Sequence, residues 1–403
     1  MRLVGRSLLV GLWFMFLTLP LLAVRVNTIT ETVEWRWLNL VWVGLGTFIL
    51  SLALALWRQR SESQPQRDDG EGDITPRWRE RLFHDQTVYR PLLIMALLAT
   101  LLLPWLVDIY QINILVLALI FVVLGLGLNI IVGLAGLLDL GYIAFFAVGA
   151  YTYALLNIHL DLGFWAALPL GGLAGAFFGL LIGFPVLRLR GDYLAIVTLG
   201  FGSIVKIVIE NEDELFYGAM GIADIPRPGL LGLDLSLDQS TLYTYYLVVA
   251  LALLAIFVTN RLKDSRLGRA WIALREDEIA AVAMGIDMAK CKLSAYAFGA
   301  FWAGLVGVLF AARNTFIHPN SFTFAESALV LSMVVLGGMG SIVGVTLAAL
   351  ILVLLPEYLQ GLAEYRMLVF GGVMVAMMVF RPHGLISPSR RRYTRPQAQG
   401  EEG

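Results

Sequence analysis

Few side chains in this sequence could carry chemistry, and their positions limit what that chemistry is. Four ionisable residues fall inside or against long apolar runs: Asp139, Lys206, Glu210 and Glu326. A charge at a bilayer centre costs about 2.5–3.5 kcal/mol on insertion scales, so an ion-coupled carrier keeps only the ones it uses. Lys206 and Glu210 are four apart and on a helix would pair with each other. Glu326 opens its run, where a carboxylate favours a helix N-terminus. Asp139 either caps a half-helix beside a glycine-rich break or lies in interfacial water. These groups form no relay. His84, His159, His318 and His383 are too scattered for a metal site, and the lone Cys291 cannot form an internal disulfide. No His/Asp/Glu constellation of a membrane-embedded transferase or protease is apparent, so neither bond chemistry nor a cofactor is expected.

The elements around these residues are apolar. Of 403 residues, 59% are hydrophobic and 15% charged, against roughly 45–50% and about 25% in a typical soluble domain. The surplus lies in runs of about 17–25 residues, long enough to cross a hydrocarbon core. That excludes a soluble globular enzyme. A net charge of −1 gives no attraction to nucleic acid. Candidate spans fall at 8–24, 37–56, 91–107, 112–134, 138–157, 165–187, 243–260, 293–312, 326–338, 342–356 and 367–380, with a weaker one at 193–210. The fold class expected is all-α, a polytopic transmembrane helical bundle with broken helices and roughly 10–12 spans. The first run is read as an uncleaved span, because no small-x-small cleavage site follows it.

Basic connections are retained in the cytoplasm. Segments 57–90 and 261–292 and the tail after Arg381 are rich in Arg and Lys, whereas 211–241 has Arg227 alone beside six carboxylates. If 193–210 crosses, the spans alternate without contradiction and both termini lie in the cytoplasm. The polar segment SESQPQRDDGEGDITP divides the chain. Residues 1–60 read as a two-span extension, 61–90 as a cytoplasmic linker, 91–386 as the core and 387–403 as a disordered tail.

Three stretches look broken. They are Gly133–Gly141 with Gly136, Asp139 and Gly141; Leu336–Gly344 with Gly337, Gly338 and Gly340; and 193–210 with Gly200 and Gly202. A helix break at membrane depth must be buried in protein or face a cavity, and paired breaks in two halves of a transporter point to its pathway. Alternatively, these glycines simply let helices pack closely.

The loop 261–292 holds two short helical pieces. Trp271 and Leu274 share a face of the first. In the second, Asp277 is placed to N-cap and Gly285 to end a helix over Glu278–Met284, and Asp287 to cap the next span. Ile279, Val282 and Ala283 line one side of it. A helix this short needs contacts on its apolar side. Those come either from a groove on a cytoplasmic partner or from a lipid interface in which Trp271 is anchored.

The run Ile279-Ala280-Ala281-x-x-x-Gly285 resembles the EAA loop of ABC importer permeases, although isoleucine stands where a glutamate is expected and Glu278 comes one residue early. The stretches FPVLRLRGDYLAIVTLGFG (184–202), GRAWIALREDEIAA (268–281), SFTFAE (321–326), VLGGMGS (335–341), EYRMLV (364–369) and RPHGL (381–385) are similar, in the same order, to the LivM-type permeases of bacterial branched-chain amino-acid importers. The resemblance covers roughly 91–386. It implies a subunit that works with two cytoplasmic ABC ATPase subunits, a related second permease and an extracytoplasmic amino-acid binding protein, in membrane lipid. Arg275, Glu276, Asp277, Glu278, Ile279, Ala280, Ala281 and Gly285 would then form the ATPase-coupling loop. The turn at Arg188–Tyr193 would face the same side, and loops 211–241 and 313–325 would face the binding protein. An ion-coupled secondary transporter of a small solute is the rival expectation.

Overall fold

The structure is a computed structural model. It describes residues 24–27, 32–35, 100–105, 107–187, 189, 191–229, 236–358, 371, 372, 375 and 384–386. Contacts divide the chain into two units, Met1–Pro91 and Leu92–Gly403. In the first, β1 (Val24–Asn27) and β2 (Thr32–Trp35) pair antiparallel, with Val24 opposite Trp35. The expected spans 8–24, but for Val24 in β1, and 37–56, the linker and the tail lie outside the described residues, as do most of 91–107 and 367–380.

The second unit is helical. Its elements are α1 (Ile109–Leu128), α2 (Ile143–Leu160), α3 (Phe164–Val186), α4 (Asp192–Asn211), α5 (Leu237–Asp264), α6 (Arg266–Glu276), α7 (Glu278–Ala283), α8 (Met288–Asn314), α9 (Phe324–Gly337) and α10 (Ile342–Tyr358). Among the described residues seven helices are long and apolar enough to cross a membrane, and α10 is a shorter apolar helix. Apart from the short β1–β2 pair, the protein is of the all-α class, a multi-pass membrane protein.

Local chemistry accounts for several boundaries. Ser236 and Gln239 form a reciprocal capping box at the start of α5. Asp287 accepts from the Lys290 N–H at 3.1 Å and opens α8. That backbone bond, with the Lys290 side chain beside it, holds the Asp287 carboxyl below the usual carboxylate range. Close packing is carried by glycine. A Cβ on Gly304 of α8 would overlap the Gly171 carbonyl of α3, and one on Gly149 of α2 would overlap Gly304. The helices α2, α3 and α8 therefore approach backbone to backbone, as small residues permit in membrane bundles.

Two ends of the bundle can be told apart. The loop end carries α6 and α7. At the far end the connections after α4 and α8 meet, where Ile222 and Ile317 form a two-hydrogen-bond bridge and the Ile225 N–H donates to the Thr315 carbonyl. The stretches expected to face a binding protein, 211–241 and 313–325, thus touch each other.

The stretch 193–210 is not broken. α4 runs unbroken through Gly200 and Gly202, because an isolated glycine costs a helix only about 1 kcal/mol and its apolar neighbours hold the pattern. The other two interruptions are real. α1 passes into one π-helical turn, Asn129–Leu134, and the chain is then non-helical until α2. α9 ends at Gly337, and α10 starts at Ile342.

Candidate functional site

The loop helices are fastened from beneath. Trp271 is fully buried, and its Nε1–H donates to the Cys291 carbonyl at 2.9 Å and to Ser294 Oγ at 3.1 Å. It therefore anchors α6 to the root of α8 and does not lie in a headgroup layer. Asp277 caps α7 by accepting from the N–H groups of Ile279 and Ala280, at 2.8 and 3.0 Å. At the other end Gly285 has φ +85°, and the N–H groups of Gly285 and Ile286 return to the carbonyls of Val282 and Ala281. This closure strongly favours glycine.

The two sides of α7 differ. Ala281 is buried, and Glu278 turns inward to Lys292, whose Nζ lies 2.6 Å away and whose side chain is 2% exposed. The early glutamate is thus the tether of this helix. On the other side Ile279 (75%) and Met284 (83%) are exposed along with Val282 and Ala283. That leaves a small apolar face at the tip of a fixed element.

Arg275 joins the loop to the interrupted spans. Its Nη1 donates to the Gly133 carbonyl, the last residue but one of the π-helical turn. Gly136, at φ +73°, lies against the aliphatic stem of Arg275, where a Cβ would come within 2.7 Å of Cγ. The second interruption enters the same cluster. Buried Asn129 accepts from the Gly340 N–H at 2.8 Å, and Lys263 at the end of α5 donates to the Gly340 carbonyl at 3.3 Å. The N–H groups of Leu385 and Ile386 donate to the carbonyls of Leu336 and Gly337, which the end of α9 leaves open. Two breaks that are distant in sequence therefore meet in one knot beneath the loop.

The residues proposed for a pathway divide into two groups. Gly136, Gly337, Gly338 and Gly340 belong to the knot or its flank. Asp139, Gly141 and Gly202 belong to the middle of the bundle. Asp139 is 1% exposed and accepts from the Gly141 N–H at 2.8 Å, so it braces the turn before α2 and does not lie in interfacial water. A Cβ on Gly141 would overlap the Thr198 carbonyl, and Gly202 lies directly opposite. Gly200 has open space around it. A cleft of about 300 Å³ runs from Leu140 and Ile143 along Leu199, Gly202, Ser203, Lys206 and Ile207 to Phe322, Phe324 and Ser327. Lys206 forms its expected pair with Glu210, at 3.5 Å. Its volume is at the lower end of the range for small-molecule sites, roughly 300–1,000 Å³.

Residues 110–378 match the family model described as the permease component of a branched-chain amino acid transport system. The chain belongs to this family. It is 49% identical over 339 residues to the high-affinity branched-chain amino acid transport system permease protein LivM of Salmonella typhimurium, covering 78% of this chain and 80% of that protein. It is 48% identical over 338 residues to LivM of Escherichia coli K12, covering 79% and 78%. A second permease protein of the latter organism, LivH, is 23% identical over 288 residues, covering 66% of this chain and 91% of LivH. No solved structure matches the chain significantly.

Three residues of this permease's knot and loop were not singled out from the sequence. Asn129 is an amide deep in an apolar span, which was a signal, since intramembrane polar groups need a named partner. Lys263 and Lys292 carried none, because both lie among the cations of a basic loop.

Proposed function

We propose that this permease is a subunit of an ABC importer that moves branched-chain or related apolar amino acids by alternating access. Its loop end faces the cytoplasm of a bacterial cell, both termini lie on that side, and the exposed face of α7 docks an ATPase subunit. The single observation that carries this reading is Arg275. It sits on the docking loop and binds the backbone of one interrupted span, beside the glycine of the other. Movement of the loop is thereby passed to the two places where the helical ladder is already open.

The cleft at Lys206 is the candidate solute space, with Gly141 and Gly202 forming its closest packing. Moving a two-state equilibrium from 1:99 to 99:1 takes about 5.5 kcal/mol of differential binding. Nucleotide-driven closure of an ATPase pair supplies that, whereas a neutral amino acid need not. A related permease completes the membrane part. The likeness to both LivM and LivH, two permeases of one named transport system in Escherichia coli K12, supports a paired arrangement. A binding protein docks on the far end, over the joined connections at Ile222 and Ile317. The core spans 91–386, with residues 1–60 as a two-span extension, 61–90 as a linker and 387–403 as a tail.

The test is ATP-dependent uptake of leucine, isoleucine or valine in vesicles holding the chain with co-purified partners. Arg275→Met is expected to keep the assembly and its ATP hydrolysis and to lose at least about tenfold in uptake, in line with one charge-assisted bond of about 1.5–3 kcal/mol. Met284→Asp is expected to reduce the ATPase subunit recovered with the chain. Wild-type uptake and recovery in both variants would remove the loop from the mechanism. Uptake against a gradient by this polypeptide alone would favour the ion-coupled rival.

A further inference from the structure

A second, smaller cavity lies at the far end, away from the cleft and the knot. It holds about 80 Å³ and is lined by Asn113 and Val116 of α1, Ser240, Thr241 and Thr244 of α5, Arg227 of the connection before α5, and Arg313 near the end of α8. Two guanidinium groups converge there without a carboxylate among the lining residues. Among the described residues neither arginine has an ion-pair partner. Arg313 donates from Nη2 to the Asn113 carbonyl at 2.9 Å and from Nη1 to Asn314 Oδ1 at 3.0 Å, and its buried Nε has no acceptor. Ser240 is 4% exposed, and its Oγ has no partner either. Buried donors without acceptors are rare, because each costs about 1–3 kcal/mol. A cavity that collects them beside two cations is short of one anion.

The surroundings indicate which anion. α1 and α5 both begin at this end, so their positive dipole ends face this level, and the carboxylates at those starts, Asp108 and Asp238, lie outside the cavity lining. Exposed aromatic rings mark the same level: Trp105 is 78% and Tyr110 58% exposed, and Trp105 Nε1–H donates to Tyr246 Oη at 3.1 Å. Tyr110 is three residues before Asn113, and Tyr246 is two after Thr244. Trp and Tyr gather where phospholipid headgroups lie. The cavity suits one tetrahedral phosphate, which guanidinium forks bind in two-point fashion, and is too small for a whole amino acid.

We propose that this pocket holds the headgroup phosphate of a membrane phospholipid, with Arg313 and Arg227 as its cationic ligands and Ser240 as a hydroxyl donor. The acyl chains then run down the flank between α1 and α5. The site is independent of the transport assignment and needs no partner subunit.

The experiment is native mass spectrometry of the delipidated full-length chain in detergent, titrated with phosphatidylglycerol, with diacylglycerol of the same acyl chains, and with inorganic phosphate. One tightly bound phosphatidylglycerol is expected, with diacylglycerol failing to replace it. Arg227→Gln is expected to weaken that binding about tenfold, the value of one charge-assisted bond. Arg313→Gln should do the same, and Lys290→Gln at the loop end should not. Arg313 also ties α8 to α1, so if its variant does not fold, Arg227→Gln decides. Unchanged lipid binding in Arg227→Gln, equal binding of diacylglycerol, or saturation of the pocket by free phosphate in place of lipid would each overturn the assignment.

Discussion

At the loop end, Arg275 and Lys263 bind backbone carbonyls of two interrupted spans, whereas towards the far end a cleft runs along α4 between mostly apolar side chains, with Ser203, Lys206 and Ser327 among them. The two regions also differ in how tightly they are held. In α8, which roots the loop, 78% of the apolar stretch is buried, against 22% in α4. The contrast fits the two tasks proposed for these regions. A linkage that passes force must be stiff and must be attached to main chain, because side-chain contacts yield by changing rotamer. A space that admits a solute must leave surface uncommitted. Breaks in the helical ladder occur at the stiff end, where freed carbonyls and N–H groups are bound by Arg275, Lys263, Asn129 and the Leu385–Ile386 backbone.

The largest effect expected from this difference is at Glu278. Removing it in Glu278→Ala leaves the Lys292 ammonium buried without its carboxylate. Breaking such a pair costs about 3–5 kcal/mol, and the partial exposure of Glu278 puts the loss toward the lower limit. Thermal unfolding of the purified permease should show a clear fall in midpoint, and the double variant Glu278→Ala, Lys292→Met should recover part of it. A single variant as stable as the wild type would mean that the loop is not held more firmly than the rest.

Asn129→Ala comes next. It removes the acceptor of the Gly340 N–H in a fully buried place, for a cost of about 1–3 kcal/mol. The same measurement checks it. Hydrogen exchange at 337–344 sharpens the reading, because protection should fall there and stay unchanged along α4. Loss of protection along α4 as well would show that the two regions are one cooperative unit.

How much of this could be read in advance depends on range. Asp277, Gly285 and Asp287 were legible because capping acts within a few residues, where residue type nearly decides conformation. The described spans between Ile109 and Tyr358 were legible through length and apolarity. Arg275 was assigned to the loop, but its hold on Gly133, 142 residues away, was not visible, because nothing local records which carbonyl a guanidinium will meet. The apolar side of the loop helices was left between a partner's groove and a lipid interface anchored by Trp271, and the bonds of Trp271 to the Cys291 carbonyl and Ser294 remove it from that interface. Gly200 and Gly202 were taken for a break on type alone. A glycine inside a helix is identical in sequence whether it loosens the ladder or admits a neighbour, and here Gly202 admits Gly141 while Gly200 admits nothing.

Gly200 therefore gives the finest test of the comparison. A Cβ at this position meets no atom within 4 Å, so Gly200→Ala adds no clash. It also lowers the backbone entropy lost on folding, and alanine in a helix interior is favoured over glycine by roughly 0.5–1 kcal/mol. The purified permease should unfold at the same temperature or slightly higher. Gly304→Ala in α8, where a Cβ overlaps the Gly171 carbonyl, should unfold well below it. The sign matters more than the size. If Gly200→Ala is destabilising, α4 is bent or packed there in a way that its open surroundings do not show, and the uncommitted surface along the cleft would be smaller than its exposure indicates.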